Sequence, residues 1–234
     1  MTSTAGIELV LLPGLDGTGE LFERLQQRLP DDFTITALRY PADPSLTYDD
    51  YVTLVRDAIG SRRVVVLGES FSGPIAVKIA AALPEQVAGV VLAATFLKSP
   101  WPPFLVRRAA AVNPHRAPRK ARDAFLMGRY GDAALSAKLD DLIRRLTPGL
   151  RARRLKEVAG VDVRDQFHRL TCPVLAMHGS EDWVVPPRQM KAVVKSKPGA
   201  RLVLFPAAHM LLQTRATEAA GAITSFVRDL TGQT

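Results

Sequence analysis

RRVVVLGESFSGPIAVKIAAAL, residues 62–83, decides the fold of this 234-residue chain. Val64, Val65, Val66 and Leu67 form a short, β-branched, apolar run, the pattern of a strand buried on both faces of a parallel sheet. Pro74 lies near the start of the next stretch, where its missing N–H costs little, and Ile75, Ala76, Ile79 and Leu83 then recur at helical spacing. A strand therefore feeds straight into a helix. Between them Gly68, Ser72 and Gly73 are small enough for a tight turn that strains Ser70 and points its hydroxyl outward, which makes Ser70 the candidate nucleophile. The helix N-terminus behind it favours negative charge, and the N–H of Phe71 is placed to help hold an oxyanion.

The pentapeptide Gly68-Glu69-Ser70-Phe71-Ser72 resembles the nucleophile elbow, G-x-S-x-G, of the α/β-hydrolase superfamily. Ser72 stands in place of the second glycine, with Gly73 one position later. Serine is small enough for the turn to survive. The competing reading is a serine in an ordinary strand-to-helix turn, and the rest of the chain must decide between them.

Working outward, Ile7–Leu12 is an apolar run ending at Pro13, followed by the glycine-rich stretch Gly14 to Gly19 and an amphipathic segment from Glu20 to Leu29. The glycines are spaced G-x-x-G-x-G rather than G-x-G-x-x-G, and no P-loop lysine follows, which argues against a nucleotide site. A second strand is expected over 33–38. Thr47 is a plausible N-cap for a helix through Tyr51, Leu54, Val55, Ala58 and Ile59, with Asp49 and Asp50 favourable in its first turn. Strands at 63–67, 87–94, 173–177 and 200–205, with helices at 187–194 and 216–230, complete a β-α alternation. The expected fold is α/β: an α/β-hydrolase fold with a mostly parallel sheet of about six strands, helices on both faces and an inserted helical lid. The superfamily usually has eight strands, so its first two antiparallel strands are the ones missing here.

The lid is expected at 97–171, dividing a core made of 1–96 and 172–234. Residues 98–118 hold five prolines and many arginines, and helix-like pieces follow near 103–112, 118–129, 132–146 and 150–159, with no strand pattern. Trp101, Phe104, Leu105, Phe125, Leu126, Met127, Leu139, Leu142 and Ile143 either line an acyl pocket or pack the lid onto the core. Charge singles out the same segment: residues 97–171 carry 17 Lys and Arg against 7 Asp and Glu, whereas the remainder carries 14 against 16. A solvated basic face explains that excess; an acidic partner, such as an acyl carrier, coenzyme A or an anionic lipid surface, is the functional reading. Arg107, Arg108, Arg144 and Arg145 would then be docking residues.

Length and a 47% hydrophobic content suffice for a substantial core. MTSTAGIELVLLPG reads as a short tail entering a strand, and no window approaches a membrane span, so a soluble cytoplasmic protein is expected. The single cysteine, Cys172, forms neither an internal disulfide nor a thiolate metal site. Nucleic acid is not expected, since the basic residues carry no recognised module and few interleaved aromatics.

A serine hydroxyl needs a base within hydrogen-bond reach and a group that orients the base. Of four histidines, His209 lies in the turn after the last strand, at the same sheet edge as Ser70, and resembles the superfamily's terminal catalytic histidine. His178 is expected to be structural, and His115 and His168 to be outside the site. Asp182, in HGSEDWVVP after the fifth strand, resembles the superfamily's orienting acid, with Glu181 its nearest competitor; Asp162 and Asp165 read as surface charges. LPGLDG resembles the oxyanion loop with Pro13 in the place of a histidine, which maps one oxyanion N–H onto Leu15, with Asp16 the adjacent alternative, and the other onto Phe71. The resemblance implies a serine esterase with the triad Ser70, Asp182 and His209, no metal and no cofactor, acting on a small ester as a short-chain carboxylesterase. Thioesters, esters carried on an acyl carrier and a non-hydrolytic small-molecule receptor are the alternatives.

Overall fold

A computed structural model describes residues 7–111, 118–195 and 197–232; His115 lies outside them. In chain order the elements are β1 (Glu8–Leu12), α1 (Glu23–Gln26), β2 (Ile35–Ala37), α2 (Tyr48–Ile59), β3 (Val64–Glu69), α3 (Gly73–Ala82) and β4 (Val87–Ala93). Then come α4 (Pro103–Ala111), α5 (Arg119–Leu126), α6 (Ala133–Arg145), α7 (Pro148–Gly160) and α8 (Arg164–Arg169). The chain returns through β5 (Val174–Gly179), α9 (Arg188–Lys195), β6 (Ala200–Phe205), α10 (Leu211–Thr214) and α11 (Ala216–Thr231).

All six strands are parallel, in the order β2-β1-β3-β4-β5-β6. Their apolar residues divide by parity, as the two-residue period of a strand requires. Val10, Leu12, Val64, Val66, Val90, Leu92, Val174 and Ala176 share one core with α2 and α3. Leu9, Leu11, Val65, Leu67, Val91, Ala93, Leu175 and Met177 share the other with α11 and with Phe22 and Leu25. Covering both faces explains why the strands read as unbroken apolar runs. Parallel strands also put every carboxyl end on one edge, where open α/β sheets build their sites.

Thr47 caps α2 with a full capping box: its side chain accepts from the N–H of Asp50, and Asp50 accepts from the N–H of Thr47. The 20–29 segment is less helical than its pattern. A 3₁₀ turn at Glu20–Phe22 precedes the single turn of α1, and Pro30 stops the chain from continuing. Two short helices, α8 and α10, stand where connections were expected. The first buries Val163 and Phe167 at i, i+4 spacing, a signal too short to read in advance.

Between β4 and β5 the described residues are helical, pinched together at the base by an antiparallel bridge between Lys98 and Asp162. The N–H of Ser99 donates to Val161 O at 3.2 Å and that of Val163 to Leu97 O at 2.7 Å. Among the described residues, no helix is long and apolar enough to cross a membrane.

Candidate active site

β3 delivers Ser70 at its carboxyl end with φ of 48°, a left-handed conformation that is costly for a residue with a side chain. The glycines around it are there for space. A Cβ on Gly73 would lie 2.0 Å from Thr95 Oγ1, and one on Gly68 would lie 2.5 Å from the carbonyl of Ser72. A side chain at Gly68 would have to displace backbone, and one at Gly73 would have to displace the side chain of Thr95.

The turn is then held by donors aimed at its carbonyls. Thr95 Oγ1 donates to Ser70 O, and Tyr48 OH donates to Phe71 O at 3.0 Å. Ser72, the departure from the superfamily pattern, is fully buried; its hydroxyl donates to Pro13 O and accepts from Tyr40 OH at 2.8 Å. The serine that replaces glycine therefore ties the elbow to the loop after β1. Tyr40, Tyr48 and Thr95 went unnoticed in the sequence because a buried hydroxyl and a surface one look alike there.

Ser70, His209 and Asp182 meet in one hydrogen-bonded chain. Ser70 Oγ lies 2.9 Å from His209 Nε2, and His209 Nδ1 lies 2.8 Å from Asp182 Oδ2. With Nδ1–H donating to the carboxylate, Nε2 presents its lone pair to the serine hydroxyl. Asp182 is fixed in turn, its Oδ1 accepting from the N–H of Val184 and of Val185 at 2.9 Å each. Burial opposes the His209 imidazolium, but the charge and hydrogen bond of Asp182, with the charge of Glu69, outweigh it and hold His209 above its ordinary 6.5. Burial likewise opposes the Asp182 carboxylate, and His209 together with the Val185 N–H brings it below its ordinary value.

The rejected candidates make other hydrogen bonds or lie outside that hydrogen-bonded chain, although His178 Nε2 is 3.6 Å from Asp182 Oδ2. His178 is buried, donates from Nε2 to Val185 O at 2.7 Å and is lowered by burial, which keeps it neutral. Glu181 turns outward to Tyr130 OH at 2.5 Å and Arg129 at 3.3 Å. His168 is on the exterior of α8 beside the ring of Phe167, and Asp162 is paired with Arg164 at 2.7 Å. Asp165 is an exposed residue of α8.

The loop after β1 passes against Ser70: a Cβ on Gly14 would lie 3.8 Å from Ser70 Cβ, which puts Leu15 one residue beyond that contact. Phe71 sits in the first turn of the helical run after β3, where N–H groups lack intrahelical acceptors. Glu69, next to Ser70, is buried and accepts from Gln213 Nε2 at 2.8 Å. Burial raises it to about 7, against the opposing effect of that hydrogen bond.

Residues 40–214 match a protein-family model described as Serine aminopeptidase, S33. A pimeloyl-[acyl-carrier protein] methyl ester esterase of Neisseria meningitidis is 25% identical over 240 residues, covering 94% of this chain and 93% of that protein. Lipase LipV of Mycobacterium tuberculosis is 29% identical over 242 residues, covering 93% and 92%. Among solved structures, a thermophilic esterase from Thermogutta terrifontis superposes with a TM-score of 0.78 at 21% identity, over 96% of this chain and 90% of that one.

Proposed function

The chain belongs to the Serine aminopeptidase, S33 family and to the α/β-hydrolases, and from that membership we propose a serine carboxylesterase working through Ser70, His209 and Asp182. That it is an ester hydrolase is the common ground of its full-length relatives, named as esterases and a lipase. The observation that carries the assignment is the unbroken hydrogen-bond chain from the Ser70 hydroxyl to the Asp182 carboxylate.

Ser70 Oγ attacks the ester carbonyl while His209 Nε2 takes its proton. The N–H groups of Leu15 and Phe71 stabilise the oxyanion; losing one such donor typically slows turnover about 10²- to 10³-fold. His209 then protonates the leaving alcohol, and acyl-Ser70 remains. A water molecule, deprotonated by His209, releases the acid and restores Ser70. Helices α4–α7 form the lid, covering the carboxyl edge of the sheet.

An ester borne on an acidic acyl carrier is the reading of substrate favoured by two observations. Relatives of matching length bear the name of an acyl-carrier methyl ester esterase. Several described cations of the lid are also paired with acids where they stand. Arg145 pairs with Glu20 at 2.6 Å and Asp141 at 2.9 Å, and Arg144 pairs with Asp141 at 3.4 Å. Of the four arginines expected to dock a carrier, Arg144 and Arg145 are thus engaged in ion pairs. Arg107 and Arg108 are exposed on α4 with no ion pair among the described residues, next to Phe104, 68% exposed, and Leu105.

Fluorophosphonate labelling together with p-nitrophenyl acetate and butyrate turnover tests the enzyme. Both should vanish in Ser70→Ala with the melting temperature nearly unchanged, and retained turnover would sink the assignment. For the carrier, Arg107→Glu with Arg108→Glu should raise KM for carrier-bound but not free esters; equal effects would count against docking.

A further inference from the structure

Among the described residues Arg154 of α7 is the largest fully buried side chain, 1% exposed, and no carboxylate pairs with it. Leaving a guanidinium in the interior without a counter-ion is expensive, and such groups persist where polar geometry compensates. Here the fork is spent on neutral oxygens. Nη1 donates to Leu15 O at 2.8 Å, Nε to Tyr51 OH at 3.1 Å and Nη2 to Pro41 O at 3.3 Å. The cation also sits 5.6 Å from the ring centroid of Tyr51 and 6.0 Å from those of Tyr40 and Phe71. Room for it depends on Gly17, in the same loop as Leu15, with φ of 72°; a Cβ there would lie 2.4 Å from Nη1.

Arg154 thus joins three parts that are far apart in sequence: a helix of the segment between β4 and β5, the loop after β1 and the aromatic cluster that packs on Phe71. The two residues assigned oxyanion N–H groups are among those it touches, Leu15 through its carbonyl and Phe71 through its ring. We infer that Arg154 is a positioning residue for the oxyanion hole, holding the Leu15 carbonyl, one peptide on from the Leu15 N–H, in place and making the α4–α7 segment part of the catalytic apparatus as well as a cover. The inference rests on the serine-esterase reading above. A neutral side chain of similar volume fills the same space and leaves Leu15 O unheld, so the transition state should suffer more than the ground state.

The test compares wild type, Arg154→Met, Arg154→Lys and Ser70→Ala, with active sites counted by fluorophosphonate labelling so that kcat is expressed per competent molecule. Arg154→Met should lower kcat per labelled site about 10- to 100-fold with KM changed less than about threefold. Affinity for a trifluoromethyl ketone, which becomes an oxyanion-bearing hemiketal on Ser70, should fall by a factor similar to kcat/KM. Arg154→Lys, which keeps the charge and one donor but not the fork, should be intermediate.

A purely structural role predicts something different: fewer labelled molecules and a lower melting temperature, with kcat per site and inhibitor affinity unchanged. That result would overturn the inference. If Arg154→Met gives no folded protein, Arg154→Lys carries the test, and wild-type kcat per site together with wild-type ketone affinity in that variant would overturn it equally. Failure of wild type to label would instead refute the esterase reading itself.

Discussion

The elbow and the helical segment above it are built on opposite principles. Around Ser70 the polar groups are buried and matched to fixed partners: Ser72 with Pro13 and Tyr40, Tyr48 with Phe71, Thr95 with Ser70. Across α4–α7, with Arg154 and Ser136 the buried exceptions, most polar groups are charges at the surface, and several reach down to acids of the core, as in Lys138 to Glu23 and Arg145 to Glu20 at 2.6 Å. Buried hydrogen bonds leave a costly orphan when cut, whereas exposed ion pairs contribute typically 0–1 kcal/mol each and are screened by salt. The difference teaches where each region tolerates change: the elbow is specified atom by atom, whereas the surface ion pairs of the segment can be lost one at a time at little cost.

The sharpest way to break the contrast is at Asp182, which is buried and cannot be replaced by solvent. Asp182→Asn should lower kcat on the order of 10⁴-fold by losing the correct His209 tautomer. The pH profile adds the sign. His209 must be neutral to act as base, so kcat/KM should fall as pH drops through its folded value, and that limb should lie above 6.5 in wild type. Removing the charge that raises it leaves burial unopposed by Asp182, so the limb of residual activity should move to lower pH. A limb that stays in place would mean another group sets it.

A second test sits one residue from Ser70. Glu69 goes from its ordinary 4.5 to about 7 in the folded protein. The native state therefore holds a proton that the unfolded chain releases, and stability declines as pH rises between about 4.5 and 7. The full cost, up to about 3 kcal/mol for a shift of this size, is present above pH 7. Glu69→Gln should remove that decline and raise the melting temperature at pH 8 by several degrees while changing it little at pH 4.5. Equal shifts at both pH values would show that packing, and not ionisation, is responsible.

How much of this was legible in the sequence divides along the same line. The β-runs could be read because both sheet faces are buried, so residues such as Val64–Leu67 and Val90–Leu92 are apolar regardless of parity. That Ser70, Asp182 and His209 meet could be read because each follows a strand and few histidines compete. Arg154 could not, since one arginine among seventeen Lys and Arg looks like part of a solvated face. The signal it did carry is spacing: Leu150, Arg154 and Val158 recur every four residues, and all three are buried. Glu69 was equally opaque, because its partner Gln213 is 144 residues away.

The smallest effect tests the loosely held region. Glu20 accepts from both guanidinium nitrogens of Arg145, at 2.8 and 2.6 Å, and from Arg39 at 3.1 Å, linking α6 to the loop after β1. Arg145 lowers the Glu20 carboxyl below its ordinary value, yet the group is largely solvated, which discounts the stability it supplies. Glu20→Gln should cost less than about 1 kcal/mol of global stability at low salt, and the difference from wild type should shrink at 0.5 M NaCl. The informative readout is amide hydrogen exchange in α6, which should quicken in the variant and, with added salt, in wild type, while β3 and α3 stay protected. Parallel loss of protection in β3 would mean that segment and sheet open as one unit, and the contrast between them would not survive.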